Sequence, residues 1–284
     1  MSTRLVHVGL PALALILASA LRAQRVQSPL GRVRVDVDSI ARAPEGSLVY
    51  GYRVVNAQES TGGIAAFTID LSAPAGTGFN TLPHEGRFFH GASIPHARNL
   101  RDHVPVGPIT REDWQAFLLV RGGLEWFGAH GGLAGQFDSV APRDSLGGFA
   151  LRTPYLPGVR VFRATPTFAS CCSVSRPATA SSEGEYPEPS EFDVAGWTVG
   201  PTYAPHEMTT GTVRVLLARA CGELGWIAEP AVCQDLRRRL GASGDEGLKA
   251  FLDTLEAQHG PGKPVNDNAY WLLKVNAEFV LAHK

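Results

Sequence analysis

Apolar and polar residues alternate with a period of two from about residue 30 to residue 164, which is typical of half-buried strands. Within 32–38 the valines share one face and the charged residues share the other, so this segment is predicted to be a solvated edge strand. Both faces of 47–55 are partly apolar, which predicts a central strand. The pattern predicts seven strands in all: 32–38, 47–55, 64–71, 114–120, 124–128, 147–152 and 159–164.

Seven short strands separated by turn residues predict an antiparallel β-sandwich of immunoglobulin-like type. The cysteine and tryptophan spacing of antibody domains is absent, so the prediction concerns the architecture alone.

After Pro205 the apolar period becomes that of a helix. A stripe at positions i, i+3, i+4 and i+7 runs from Leu248 to Leu255, and the last segment carries Leu272, Asn276 and Val280 inward. Four short amphipathic helices predict a small all-α helical bundle. Their starts are marked by capping residues or by a proline: Thr209 or Thr210, Pro230, Asp245, and Asn266 or Asp267.

Two stretches show little periodicity. The long loop 72–112 is rich in proline and glycine, and is either a functional excursion or the place of a short strand near 86–90. The segment 166–205 combines prolines with an acidic run and has the composition of a linker. The predicted domains are therefore a β-sandwich at 24–165, a linker at 166–205 and a helical bundle at 206–284.

The first 23 residues have the pattern of a secretory signal peptide. Arg4 and His7 precede an apolar run at 8–20, and the small-residue cleavage patterns end at Ala20 and Ala23. The run contains Pro11 and is too short for a membrane span, which needs about 20 apolar residues. We therefore expect a secreted or periplasmic protein with neither a membrane span nor a lipid anchor.

Charge and size narrow the classes of function. Without residues 1–23 the chain carries 24 basic and 27 acidic residues, a balance that argues against nucleic acid as a partner. The remaining length exceeds the usual domain size of about 100 to 200 residues, which favours two domains.

All four cysteines lie after the leader, and an oxidising compartment favours disulfides. Cys221 and Cys233 flank the junction between the first two predicted helices, and we expect a disulfide there, worth about 3 kcal/mol on the loop-entropy model. Cys171 and Cys172 are adjacent. They could form a strained eight-membered ring, pair with other chains or stay reduced, and the sequence does not choose.

Four histidines in the long loop are candidate zinc or copper ligands. Two of them have an acidic neighbour, but the spacing matches no compact ligand motif, and solvated loop histidines are favoured over a metal site. They are His84, His90, His96 and His103.

Other catalytic patterns are incomplete. His84 and His206 each precede a glutamate but lack the second histidine of a zinc protease helix. Ser93 lacks the final glycine of a nucleophile elbow. Asp36 and Asp38 share a strand face, where an ordinary polar face is favoured over a calcium site.

Four aromatic residues at strand positions could form a carbohydrate-stacking platform if they were exposed, although core positions are favoured. They are Trp114, Phe117, Trp126 and Phe127.

The segment 233–281 resembles the FIMAH-type helical domain, a module found at the C-termini of exported bacterial multidomain proteins. The residues that carry the resemblance are Asp235-Leu236, Leu248-Lys249-Ala250-Phe251-Leu252, Gly262-Lys263, Asn268-Ala269-Tyr270 and Asn276-Ala277. The N-terminal half is similar to uncharacterised exported bacterial β-proteins through Tyr52-Arg53-Val54-Val55-Asn56, Ser145-Leu146-Gly147-Gly148-Phe149 and Leu156-Pro157-Gly158. Neither resemblance implies a reaction or a cofactor.

The sequence thus predicts an exported, non-catalytic protein without a cofactor, which binds or scaffolds an extracellular ligand or surface component. Two alternatives remain: a secreted metal-dependent enzyme that uses the histidines from His84 to His103, and a carbohydrate-binding module.

Overall fold

A computed structural model describes residues 28–71, 91–93, 114–119, 123–128, 139–167, 192–242 and 244–283. The strands are β1 (Val33–Arg42), β2 (Leu48–Asn56), β3 (Ile64–Asp70), β4 (Gly91–Ser93), β5 (Trp114–Leu119), β6 (Gly123–Gly128), β7 (Ser145–Thr153), β8 (Leu156–Pro166) and β9 (Val194–Tyr203). A 3₁₀ turn at Pro205–Glu207 leads into the helices α1 (Thr210–Cys221), α2 (Pro230–Gly241), α3 (Gly244–Ala257) and α4 (Asp267–Ala282).

The described strands form two antiparallel sheets. The first has the order β1-β2-β7-β4 and the second has the order β5-β6-β3-β8-β9. Each of the seven predicted strands overlaps an observed strand. The predictions for the first two are confirmed in detail, since β1 is an edge strand and β2 is central.

Aromatic side chains connect the two sheets. The ring centroids of Tyr52 and Trp126 are 5.7 Å apart, and those of Phe67 and Phe149 are 4.8 Å apart. Trp114 packs edge-on against Phe149 at 5.1 Å. Tyr52 and Phe149 belong to the first sheet and the other three residues to the second, so this buried cluster holds the inner faces of both sheets together.

Strand β9 corrects the predicted linker. Residues 194–203 form an edge strand paired along most of β8, so the predicted linker 166–205 is wrong for this part, and its residues 168–191 lie outside the described part of the chain. Its small residues fit bulky neighbours: a Cβ at Gly196 would lie 2.6 Å from the ring of Phe162. Pro201 is tolerated because an edge strand leaves one row of backbone groups unpaired.

The long loop contains a short described strand, β4, whereas the predicted segment 86–90 itself lies outside the described residues. Strand β4 follows the predicted segment 86–90 directly, at Gly91–Ser93, and pairs antiparallel with β7. Ser93, weighed above as a nucleophile, belongs to this strand and pairs with Ala150.

The helices begin where the capping residues predict. Thr209 accepts a hydrogen bond from the backbone N–H of Thr212 at 3.1 Å, and Asn266 accepts one from that of Ala269 at 2.9 Å. Helix α2 begins at Pro230. Within the described part of the chain, no helix is both long enough and apolar enough to cross a membrane.

Helix α4 joins the helices to the strands. It contacts β1, β8 and β9 as well as α1 and α3. The buried amide of Asn276 donates hydrogen bonds to the carbonyls of Pro157 and Leu272, both at 2.8 Å. The hydrophobic core is continuous from the sheets into the helices. It therefore extends across the boundary predicted between the β-rich and helical domains.

The sulfurs of Cys221 and Cys233 lie at disulfide-bonding distance, with 5.9 Å between the Cα atoms. Cys221 ends α1 and Cys233 lies in the first part of α2. Cys171 and Cys172 lie outside the described residues.

Candidate functional site

The outward side chains of β1 and β2 form a charged surface, which we call the charged face: Arg34, Asp36, Asp38 and Arg53. Its origin is the two-residue period of β1, which buries Val33, Val35 and Val37 and turns the charged residues between them outward. The prediction that Asp36 and Asp38 lie on an ordinary polar face is consistent with this arrangement.

Each carboxylate of the charged face has an arginine partner. Arg34 Nη2 lies 3.1 Å from Asp36 Oδ2, and Arg53 Nη2 lies 3.1 Å from Asp38 Oδ2. The arginine side chains are 57% and 50% exposed, whereas those of the aspartates are 16% and 28% exposed. The arginines therefore reach into solvent, where a ligand can contact them, while the aspartates that hold them stay largely shielded.

Burial raises the pKa of Asp36 and that of Asp38 above the usual range. Their arginine partners oppose this rise, and the nearby carboxylate of Asp267 adds to it. The site thus concentrates three carboxylates at the junction between β1 and the start of α4.

The start of α4 completes this corner of the charged face. The amide of Asn268 donates to Asp36 Oδ1 at 3.4 Å. His259 Nε2 lies 2.8 Å from Asp267 Oδ1, and the imidazole stacks on the ring of Tyr270 with 3.8 Å between centroids. The helix and the preceding turn therefore fix the polar groups that border the face.

A shallow cleft of about 220 Å³ lies beside the charged face. Its lining combines two cations, one anion and two small apolar side chains: Arg32, Arg34, Glu59, Val55 and Ala57. A ligand in this cleft would lie beside two arginines and one glutamate, Arg32, Arg34 and Glu59.

The predicted metal ligands His84, His90, His96 and His103 lie outside the described residues. Among the residues that the structure does describe, no group of three or more histidine, cysteine or acidic side chains is placed to hold a metal ion. The three carboxylates at the corner of the charged face are therefore arranged as ion-pair and hydrogen-bond partners.

The favoured core positions are confirmed for the two tryptophans of the aromatic set, and the alternative of an exposed platform does not hold for them. Trp114 and Trp126 are 0% exposed because they fill the space between the sheets, as the favoured interpretation of core positions predicts. Phe127 is half-buried, and the side chain of Phe117 lies outside the described part.

Trp197 of β9 is 40% exposed, with the Arg219 guanidinium 5.6 Å from its ring centroid.

Arg160 is a buried cation that the sequence analysis missed. It is 2% exposed, and its Nε donates to the carbonyl of Pro201 at 2.9 Å. Burial lowers the pKa of Arg160 to about 10, with the charge of Asp70 opposing that effect. The signal was present in the sequence, since Arg160 shares the two-residue parity of Phe162 and Ala164 on β8.

No protein-family model matches the chain, and a search of curated proteins finds no significant match.

Proposed function

We propose that the chain is an exported, non-catalytic binding protein that holds a charged component of the cell exterior on the charged face and its cleft. The observation that carries the proposal is the pairing on β1 and β2, where half-exposed arginines lie over largely buried aspartates. Such a face offers solvent-accessible cations on a packed support.

The support for this face is rigid. Val35 and Val37, which alternate with the charged residues of β1, are 0% exposed. Tyr52 precedes Arg53 on β2 and contacts Trp126 of the opposite sheet. A binding surface fixed by a packed core loses little conformational freedom when a ligand binds, which favours affinity.

The strand order supports an immunoglobulin-like sandwich. In that fold the sheets have the orders A-B-E-D and C-F-G. The order β1-β2-β7-β4 corresponds to the first of these, and β3-β8-β9 corresponds to the second. Strands β5 and β6 would then extend the second sheet beyond its C strand.

The helices support the further proposal of a small bundle of FIMAH-type. Leu248, Phe251 and Leu255 are buried along one side of α3, as the resemblance implies for its core leucines. In this proposal the bundle fixes the edge of β1 and borders the charged face with the start of α4.

Export is proposed from the leader, which lies outside the described residues. Its pattern and the pairing of Cys221 with Cys233 both suit an oxidising compartment.

The proposal is tested with the purified mature protein. Cosedimentation with peptidoglycan and binding to an array of charged polysaccharides should reveal at least one saturable partner, with affinity that falls as salt is added. A broad hydrolase screen should show no turnover. Turnover that persists in several independent preparations would contradict a non-catalytic role.

A further inference from the structure

A second cavity lies beside the disulfide, away from the charged face. It has a volume of about 190 Å³ and is lined by both bridged cysteines. The rest of its lining comes from the α1–α2 connection and from α2: Ile227, Ala228, Pro230, Gln234 and Arg237. A small molecule in this cavity would lie against both bridged cysteines.

The two cysteines differ in exposure. Cys233 is 4% exposed, whereas Cys221 is half-buried. The rim residues Pro230, Gln234 and Arg237 are exposed, so the cavity opens to solvent. An attacking thiolate therefore reaches Cys221 more easily than Cys233.

The helix ends make the two sulfurs unequal as leaving groups. Cys221 is the last residue of α1, where the helix dipole disfavours a thiolate. Cys233 is the fourth residue of α2, near the positive end of that helix dipole, which stabilises a thiolate. Because a more stable thiolate leaves faster, attack at Cys221 with departure of Cys233 is the favoured direction.

Arg237 supplies the group that would select an attacking thiol. It lies one helical turn after Cys233 and, among the described residues, has no hydrogen-bond or ion-pair partner. Its neighbours Arg238 and Arg239 both bind Asp235 instead. The unpaired guanidinium at the rim is complementary to a carboxylate.

We propose that this cavity is a thiol–disulfide exchange site for a small thiol that carries carboxylates. The thiolate of the small molecule attacks Cys221 Sγ, the bond between Cys221 and Cys233 breaks, and Cys233 leaves as a thiolate. A second molecule of the thiol then attacks the mixed disulfide. Two thiols are oxidised to one small-molecule disulfide, and the protein disulfide is reduced to two thiols. Reduction would release the covalent link between α1 and α2.

The test measures the rate at which folded mature protein is reduced by glutathione and by 2-mercaptoethanol, at equal thiolate concentrations. Glutathione carries carboxylates, whereas 2-mercaptoethanol is uncharged apart from its sulfur. Free thiols are alkylated at successive times, and mass spectrometry measures the fraction of protein that has been reduced. Arg237→Gln removes the rim cation, and Arg238→Gln is the matched control, one residue away and outside the cavity lining.

The ratio of the glutathione rate to the 2-mercaptoethanol rate should fall about fivefold in Arg237→Gln, as expected for one lost charge interaction near a surface. It should stay at the wild-type value in Arg238→Gln. Added salt should lower the glutathione rate of the wild type and leave that of Arg237→Gln nearly unchanged. An unchanged ratio in Arg237→Gln overturns the proposal, and so does reduction whose rate is independent of thiol concentration, because the bond would then react only after unfolding.

Discussion

The side-chain amide of Asn268 on α4 accepts a hydrogen bond from the backbone N–H of Val37 on β1, at 2.9 Å. The same amide donates to the carbonyl of Val35 at 3.2 Å. The N–H of Val37 and the carbonyl of Val35 point away from β2, toward the side of β1 on which a further strand would pair. The amide of Asn268 binds both groups there instead. One side chain thus attaches the last helix to the sheet and covers part of an exposed edge.

Replacing Asn268 with alanine should strongly destabilise the protein. The change leaves a backbone donor and a backbone acceptor of β1 buried without partners, and we expect a loss of about 2 to 3 kcal/mol in the free energy of unfolding. Urea denaturation followed by circular dichroism measures this loss. A loss below about 0.5 kcal/mol would show that the two hydrogen bonds are not needed to attach α4.

Asn268→Asp is the isosteric comparison. Its carboxylate can still accept from Val37 but cannot donate to Val35, and it lies beside Asp36. We expect Asn268→Asp to be less stable at neutral pH than at a pH where the new carboxyl is protonated. Equal destabilisation at both pH values would argue against the contact with Asp36.

Asp36→Asn should change how stability depends on pH. Because burial raises the pKa of Asp36, the folded state holds a proton that the unfolded state has already lost, so stability falls as pH rises from the unfolded pKa through the folded one. The charged groups that act on Asp36 are Arg34, Asp38 and Asp267. The variant should lose this fall in stability, which is measured by denaturant titration from acidic to neutral pH.

Asp235→Asn is the control, because the pKa of Asp235 is shifted in the opposite direction to that of Asp36. Hydrogen bonds from Arg239 and Arg238 lower the pKa of the exposed Asp235, so its contribution is present above the unfolded pKa and is lost as pH falls. If both variants change the pH profile in the same direction, the assigned cause of the Asp36 shift is wrong.

Gly158→Ala should destabilise the second sheet. A Cβ at this position would lie 2.4 Å from Cβ of Thr202 on β9, and backbone movement there would disturb the pairing of β8 with β9. We expect a loss of about 2 kcal/mol or more, as for overpacked cores. Gly241→Ala at the end of α2 is the control, since nothing lies within 4 Å of its Cβ, and it should change thermal stability little.

Removal of the disulfide should lower the free energy of unfolding by about 3 kcal/mol, because the cysteines are 12 residues apart and close a short loop in the unfolded chain. The Cys221→Ala, Cys233→Ala double variant measures this in denaturant. A loss below about 1 kcal/mol would mean that the packing of α1 against α2 suffices without the covalent link.

Local patterns predicted the elements well. The alternation around Val35, the cap at Asn266 and the first-turn Pro230 each specify a strand or a helix start within a few residues of sequence. The contacts that the sequence did not reveal are long-range. Asn268 binds β1 from 231 residues away, and nothing near it in sequence indicates that partner. Strand β9 was missed because glycine is uncommon within strands. Gly196 leaves room for the ring of Phe162, which lies on another strand and is not indicated by the residues around Gly196.

The measurement that tests the proposed function most directly compares the affinity of three proteins for the charged polymer that the wild type binds. They are the mature wild type, the Arg32→Gln, Arg34→Gln double variant and the Arg238→Gln control on α2. The loss of two exposed cations from the cleft should weaken binding about fivefold or more, and the control should bind as the wild type does. Equal binding by all three, or no binding of the wild type to peptidoglycan or to any charged polysaccharide, would contradict a ligand site on the charged face.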